Sequence, residues 1–251
     1  MSATLLDIAD GVARLTLNRP ERHNSLVPAL LDSLNADLER IAADRSIRAV
    51  VLQATGRSFS TGGDVAGFHA APRGQRRAYA EGLVGSLNHA ILALLRLPVP
   101  VIGRIHGPLT GGSLGLLLAC DLAAMTPQAF IQPYYTQVGF SPDGGWTAML
   151  PARIGVQRAR EIQLLNQRVS AQEALQLGLA AACVEAEALD ATIEGWLEKL
   201  KTMQPGSIAS TKALLVDDYA AGLEAELRNF LTLIDGEEAE AGMTRFLNRS
   251  T

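Results

Sequence analysis

Residues 104–121, Arg-Ile-His-Gly-Pro-Leu-Thr-Gly-Gly-Ser-Leu-Gly-Leu-Leu-Leu-Ala-Cys-Asp, are the stretch whose reading decides the fold. An apolar run from Val99 to Ile105 leads in and reads as a buried strand. Gly107, Gly111 and Gly112 then free the backbone, and Leu114 to Ala119 reads as the first turns of a buried helix. A glycine pair between a strand and a buried helix leaves N–H groups without intrahelical partners, a place that can hold negative charge developing on an oxygen. From Ser113 to Ala119 no side chain is an acid, a base or a metal ligand. Any proton-transfer group must come from elsewhere in the chain.

Working outward, Thr4–Ile8 and Val12–Leu17 flank Ala9-Asp10-Gly11 and predict a hairpin. Leu26, Leu30, Leu31, Leu34, Leu38 and Ile41 recur at three- and four-residue steps and predict a helix capped by Ser25, with Pro28 in its first turn. Arg48–Gln53 reads as a second buried strand, followed by a loop through Phe59-Ser-Thr-Gly-Gly-Asp64. Residues 65–78 read as a loop or short helix, and a long helix carries Leu83, Val84, Leu87, Ile91, Leu94 and Leu95 until Pro98 stops it. A strand is expected near 122–125, a long loop over 126–145, and short helices over 145–165. Ser170-Ala-Gln-Glu173 is a capping box, Leu179–Val184 a strand, and the chain is helical from Ala186, interrupted at Pro205-Gly206, Gly222 and Gly236. Strands alternating with helices imply an α/β core with right-handed crossovers, followed by a helical region.

The 251 residues, 48% hydrophobic and 19% charged, are enough for one sizeable core. A net charge of −4 argues against nucleic acid as the partner. Cys120 and Cys183 lack metal-ligand spacing and read as buried free thiols. No basic, apolar leader opens the sequence, and the apolar run at 114–119 is too short to span a bilayer, so a cytoplasmic protein without a membrane partner is expected.

The loops 59–64 and 110–113 stand at the carboxyl ends of successive core strands, where they can face one crevice. Neither is a phosphate-binding P-loop or a dinucleotide fingerprint. Their order, together with 18–26 (NRPERHNSL), 54–65 (ATGRSFSTGGDV), 98–123, 130–155 (FIQPYYTQVGFSPDGGWTAMLPARIG) and 170–184, resembles the crotonase superfamily, the enoyl-CoA hydratase/isomerase fold, over almost the whole chain. The resemblance implies a crotonase-like ββα-spiral core over 1–195 and a C-terminal helical trimerisation region over 196–251. It implies an acyl-CoA thioester substrate, coenzyme A as part of that substrate with no metal or redox cofactor, and a homotrimer or hexamer.

Carried over residue by residue, the resemblance places the two backbone donors for a thioester enolate at Thr61 and Gly112. Ser60, Gly62, Asp64, Gly111, Tyr135 and Trp146 are the implied substrate-binding positions. The two glutamates with which hydratases of the family add water are replaced by Gly115 and by Tyr135, or Tyr134 in the neighbouring register. Glycine cannot transfer a proton, and a tyrosine of ordinary pKa is a poor base. Asp143, in Ser-Pro-Asp-Gly-Gly, is left as the acid/base, which fits double-bond isomerisation. The alternatives are a hydratase, an aromatic acyl-CoA dehalogenase, whose family histidine falls at Asn88 beside His89, or a catalytically reduced acyl-CoA-binding subunit. Arg22, Arg73, Arg76, Arg77 and Lys212 are candidate partners for CoA phosphates, while His106 reads as structural.

Overall fold

The computed structural model describes residues 2–248. Its main sheet has six strands in the order β1-β2-β3-β4-β6-β9. These are β1 (Thr4–Ala9), β2 (Val12–Leu17), β3 (Ala49–Ala54), β4 (Val101–Ile105), β6 (Leu122–Met125) and β9 (Ala182–Cys183). The hairpin β1–β2 is antiparallel, and every later pairing in this sheet is parallel. A smaller sheet orders β5 (Leu109–Thr110), β7 (Phe130–Gln132) and β8 (Val169–Ser170). The long loop expected over 126–145 therefore contains a strand, β7, and also a short helix, α5 (Tyr135–Val138).

The crossover between β2 and β3 is helix α1 (Pro28–Ala43), and α2 (Val65–Ala70) with α3 (Arg73–Arg96) joins β3 to β4. Residue Val27, not Ser25, is the N-cap of α1, and no side chain caps it; Pro28 at the first turn pre-sets the backbone instead. The glycine- and arginine-rich segment that leads α3 is helical from Arg73, earlier than the apolar repeat indicates. Helix α3 is long and apolar enough by composition to cross a bilayer. Its apolar face is a core face: Leu83, Val84, Leu87, Ile91, Leu94 and Leu95 are all buried, with α1 and later the tail against it.

The chain continues through α4 (Leu114–Leu118), α5, α6 (Leu150–Ile154), α7 (Val156–Leu164) and α8 (Ala171–Gln176). The capping box at Ser170 and Glu173 is present, with each side chain accepting the other's backbone N–H. The tail is α9 (Ala186–Lys201), α10 (Pro205–Leu215), α11 (Ala220–Leu233) and α12 (Glu237–Asn248). Pro205 opens α10 and Gly236 separates the last two helices, but Gly222 lies inside α11, where the small residue lets the helix approach Ala148. The expected division at 195/196 falls in the middle of α9, which is one continuous helix. Its Leu189, Ile193 and Leu197 cover the outer face of the sheet with Val51, Ile102 and Ala124. The remaining tail also packs on the core, for α11 lies along α3 and α12 against α2 and α5.

Candidate active site

Two loops are zipped together at the carboxyl ends of β3 and β4. Ser60 and Leu109 form a parallel bridge, the Thr110 N–H donates to the Ser60 carbonyl (3.1 Å), and Ser113 Oγ donates to the same oxygen (3.1 Å). Gly62 has φ +74°, and a methyl group there would sit 2.5 Å from the Thr110 carbonyl oxygen, so only glycine permits this approach. Ser60 and Gly62 thus build the junction. The Ser60 hydroxyl itself is turned to the Asn24 carbonyl (2.8 Å).

The junction decides which N–H groups are left over. The Thr61 N–H donates to the His23 carbonyl (3.1 Å), so Thr61 is not the spare donor that the resemblance implied. The Gly62 N–H is turned to Ser60 Oγ (3.3 Å). The next N–H, that of Gly63, has no acceptor among the described residues and lines a cavity of about 590 Å³. Gly112 lines the same cavity from the short 3-10 turn Gly111–Ser113, whose first N–H groups have no acceptor within the turn. The pair of unpaired donors is therefore Gly63 and Gly112. The resemblance points to this loop for a donor, but not to which of three successive N–H groups the loop geometry spends elsewhere.

Asp143 stands beside Gly112. A methyl group on Gly112 would lie 2.8 Å from one Asp143 carboxylate oxygen and 3.2 Å from the other. Asp143 is buried and lines the cavity. Burial pushes its carboxyl pKa up to about 7, against the opposing effect of the Tyr135 hydroxyl, which donates to Oδ1; the buried Glu226 carboxylate pushes it further up. The carboxyl does not cap the turn that follows. The Gly145, Thr147 and Ala148 N–H groups of that turn go to Glu226 of α11 at 2.8, 2.6 and 2.8 Å.

Tyr135 lies in the cavity wall, and its phenol is pushed well above 10 by burial and then by Asp143, so it acts as a hydrogen-bond donor and not as a base. Gly115, the other position where hydratases of the family hold a glutamate, faces filled space: a methyl group there would meet Ile91 Cδ1 at 2.2 Å and the Gly144 carbonyl oxygen at 2.7 Å. Trp146 is fully buried behind the cavity, with its indole N–H on the Gly111 carbonyl (2.8 Å), so it packs the loop and does not line the wall. Gly111 and Asp64 do line it; Asp64 also caps α2 through the Ala66 N–H (3.2 Å).

The basic candidates separate clearly. Lys212 is buried on Asp121 (2.7 Å), Arg76 is buried on Glu240 (2.8 Å), and Arg77 donates to the Leu231 carbonyl (3.2 Å), so these three hold the tail to the core. Arg22 stays at the cavity, 3.7 Å from Asp64, and is joined there by Arg57, which the sequence reading did not single out. His106 Nε2 donates to the Gly56 carbonyl (2.8 Å) as a structural group, its pKa lowered by burial. Asn88 donates to the Leu223 carbonyl (3.2 Å), and His89 is exposed on the helix surface.

A family model described as "Enoyl-CoA hydratase/isomerase" matches residues 7–251. The chain belongs to the enoyl-CoA hydratase/isomerase family. It is 35% identical over 222 residues to a probable enoyl-CoA hydratase of Mycobacterium tuberculosis, covering 86% of this chain and 78% of that one. It is 36% identical over 172 residues to a 4-chlorobenzoyl coenzyme A dehalogenase of Arthrobacter, covering 68% and 62% of the two chains. Among solved structures it superposes on a monofunctional enoyl-CoA isomerase of M. smegmatis with a TM-score of 0.72 at 32% identity, covering 89% of this chain and 95% of that one. These relatives carry three different reaction names on one crotonase fold. The family therefore makes this chain an acyl-CoA enzyme, and the choice among reactions turns on the groups in its own cavity.

Besides Arg57, three positions at the site carry no signal in the sequence reading. Gly63 is one residue from Gly62, which does. Glu226 and Phe230 lie in a helix more than 80 residues beyond Asp143, and nothing local in the tail marks them as site residues.

Proposed function

We propose that this protein shifts a double bond in an acyl-CoA thioester, with Asp143 as the only acid/base and the Gly63 and Gly112 N–H groups holding the enolate oxygen. The observation that carries the proposal is the buried Asp143 carboxyl set against Gly112 in a cavity whose other hydratase position is filled by Ile91. A carboxylate whose pKa is near 7 is matched to taking a proton and returning it. Asp143 takes the proton from a carbon beside or conjugated to the carbonyl. The charge moves to the thioester oxygen, where two preorganised donors each lower the barrier by about 3–4 kcal/mol. Asp143 then returns the proton to a different carbon, and nothing is gained or lost. Tyr135 keeps the carboxylate in place through its O–H.

Water addition needs two proton-transfer groups around one water. Tyr135 is engaged as a donor and Gly115 supplies nothing, which disfavours hydratase chemistry. A second reading is favoured by the Arthrobacter relative: attack of Asp143 on an aromatic ring with loss of halide. It requires a base for the water that releases the product, and Asn88 stands where the family's histidine does.

The test is a panel of 2- and 3-enoyl-CoA esters and 4-chlorobenzoyl-CoA in deuterated water, followed by NMR. Double-bond migration with deuterium wash-in, abolished in Asp143→Asn while CoA-ester binding survives, is the expected result. Hydration product, chloride release, or wash-in unchanged in the variant would overturn the isomerase reading.

A further inference from the structure

The cavity walls are aromatic out of proportion to the chain. Only 5% of residues are aromatic, with six phenylalanines among 251 residues. Five of those six, all but Phe59, line this one cavity, together with Tyr134 and Tyr135. They arrive from separate elements, which is not the result of one amphipathic face. Phe68 comes from α2, Phe140 from the loop after α5, and Phe230 from α11. The three meet with ring centroids 5.5 Å (Phe68–Phe140), 5.7 Å (Phe68–Phe230) and 5.2 Å (Phe140–Phe230) apart, edge-on or tilted.

The cluster begins at the reacting end of the cavity. A methyl group on Gly63 would lie 3.0 Å from Phe68 Cε2, so the Phe68 ring touches one of the two unpaired donors. In the same cavity wall, the Tyr135 hydroxyl is fixed on Asp143, and its ring stands edge-on to Trp146 at 6.2 Å and 81°. An acyl group whose thioester oxygen rests on Gly63 and Gly112 lies in a cavity walled by flat, rotamer-poor rings. Such walls present positive ring edges and negative faces that a second π-system complements and a polymethylene chain does not. They also cannot fold around a flexible chain as leucine or methionine walls do.

We propose that the acyl group this site takes is aromatic, an aryl or aryl-alkenoyl thioester in place of a straight-chain one. The inference rests on the acyl-CoA reading above but not on which reaction follows.

Binding of saturated thioesters separates the two questions, because no turnover is needed. Isothermal titration of the full chain with 3-phenylpropanoyl-CoA, 3-cyclohexylpropanoyl-CoA and nonanoyl-CoA compares acyl groups of nine carbons each. Apolar area alone favours nonanoyl. The expected result is a Kd for the phenyl ester at least tenfold below that of nonanoyl and several-fold below that of cyclohexyl, with Phe140→Leu bringing the phenyl and nonanoyl values within about twofold of each other. Equal or tighter binding of nonanoyl to the unaltered protein overturns the aromatic assignment. Binding of none of the three overturns the acyl-CoA reading and this one with it. Aromatic preference without double-bond migration sustains the inference and removes the isomerase reading alone.

Discussion

The Tyr135 hydroxyl donates to Asp143 Oδ1 inside the cavity wall, and both side chains are buried. The two residues occupy the places of an absent carboxylate and a present one, and their contact sets the charge state of the site. Burial favours the neutral acid and brings the Asp143 pKa up to about 7, while the phenol O–H favours the anion and holds it from rising further. Wash-in of deuterium at the acyl carbon is expected to rise with pH through about 7 and level off above it. Replacing Tyr135 by Phe removes the donor to the charged form, so the midpoint moves to higher pH, by about one unit. A pH–rate profile of both proteins checks this. A midpoint that stays fixed or falls in Tyr135→Phe would show that Asp143 is not the titrating group.

The same carboxyl makes stability depend on pH. Its folded pKa is raised above an unfolded value near 3.9. Its favourable contribution is thus complete below about pH 4 and is lost as pH rises from there to about 7. Asparagine removes the charge and keeps an acceptor for Tyr135. Urea unfolding should therefore find Asp143→Asn gaining on the unaltered protein by about 2–3 kcal/mol between pH 5 and pH 8. A constant difference across that range would falsify the raised pKa.

Glu226 is a positioning residue acting at a distance along the chain. Its carboxylate accepts the Gly145, Thr147 and Ala148 N–H groups and the Thr147 hydroxyl, and its charge raises the pKa of Asp143. Glu226→Gln turns an amide NH2 toward groups that are themselves donors, at a cost of about 2–4 kcal/mol in urea unfolding. Where the variant stays folded, the pH midpoint for wash-in falls, opposite in sign to the shift in Tyr135→Phe. Only an electrostatic link to Asp143 accounts for the two opposite shifts; a purely structural role predicts lost rate at an unmoved midpoint.

The contrast between Glu226 and Gly115 shows which parts of the site are legible in sequence. The fold follows from strand, helix and glycine-loop order, and the strands β2, β3, β4 and β6 lie within one or two residues of where the apolar runs place them. Gly115 announces a missing glutamate because the motif around it fixes the register, whereas the second position falls at Tyr135 or Tyr134 until the Tyr135 hydroxyl is seen on Asp143. Glu226, Phe230 and Phe246 carry no such frame: the two phenylalanines reach the cavity, and Glu226 the turn after Asp143, only after α11 and α12 fold back over α3, α2 and α5. The Thr61-to-Gly63 correction is finer still, since it depends on the hydrogen bond from the Thr61 N–H to His23 on another loop.

Assembly is expected to use the tail as well. Leu214 and Leu215 of α10 are 84% and 78% exposed, and Leu164 and Leu165 at the end of α7 are 71% and 73% exposed. Adjacent leucines in water are costly, at about 25 cal/mol for each Å² of apolar surface left uncovered. A trimer or hexamer by light scattering at micromolar concentration is the expected state, and a monomer mass there would count against it.

Gly115 tests whether one substitution can supply a glutamate at the position where hydratases of the family hold one. The space its Cβ would take is held by the Ile91 side chain, at 2.2 Å, and by the Gly144 carbonyl oxygen, at 2.7 Å. Ile91 can yield, but Gly144 is backbone, its own φ of +63° is fixed by the turn, and that turn is tied down by Glu226. Gly115→Ala is therefore expected to cost about 2 kcal/mol or more by overpacking. The double variant with Ile91→Val should recover only part of that, because the contact with Gly144 remains. Gly115→Glu should lose more stability still without gaining hydration of a 2-enoyl-CoA, since a carboxylate forced against Gly144 disturbs the turn that carries Asp143. Appearance of the 3-hydroxyacyl product in a stably folded Gly115→Glu protein would show that the packing at Ile91 and Gly144 does not exclude a working glutamate there.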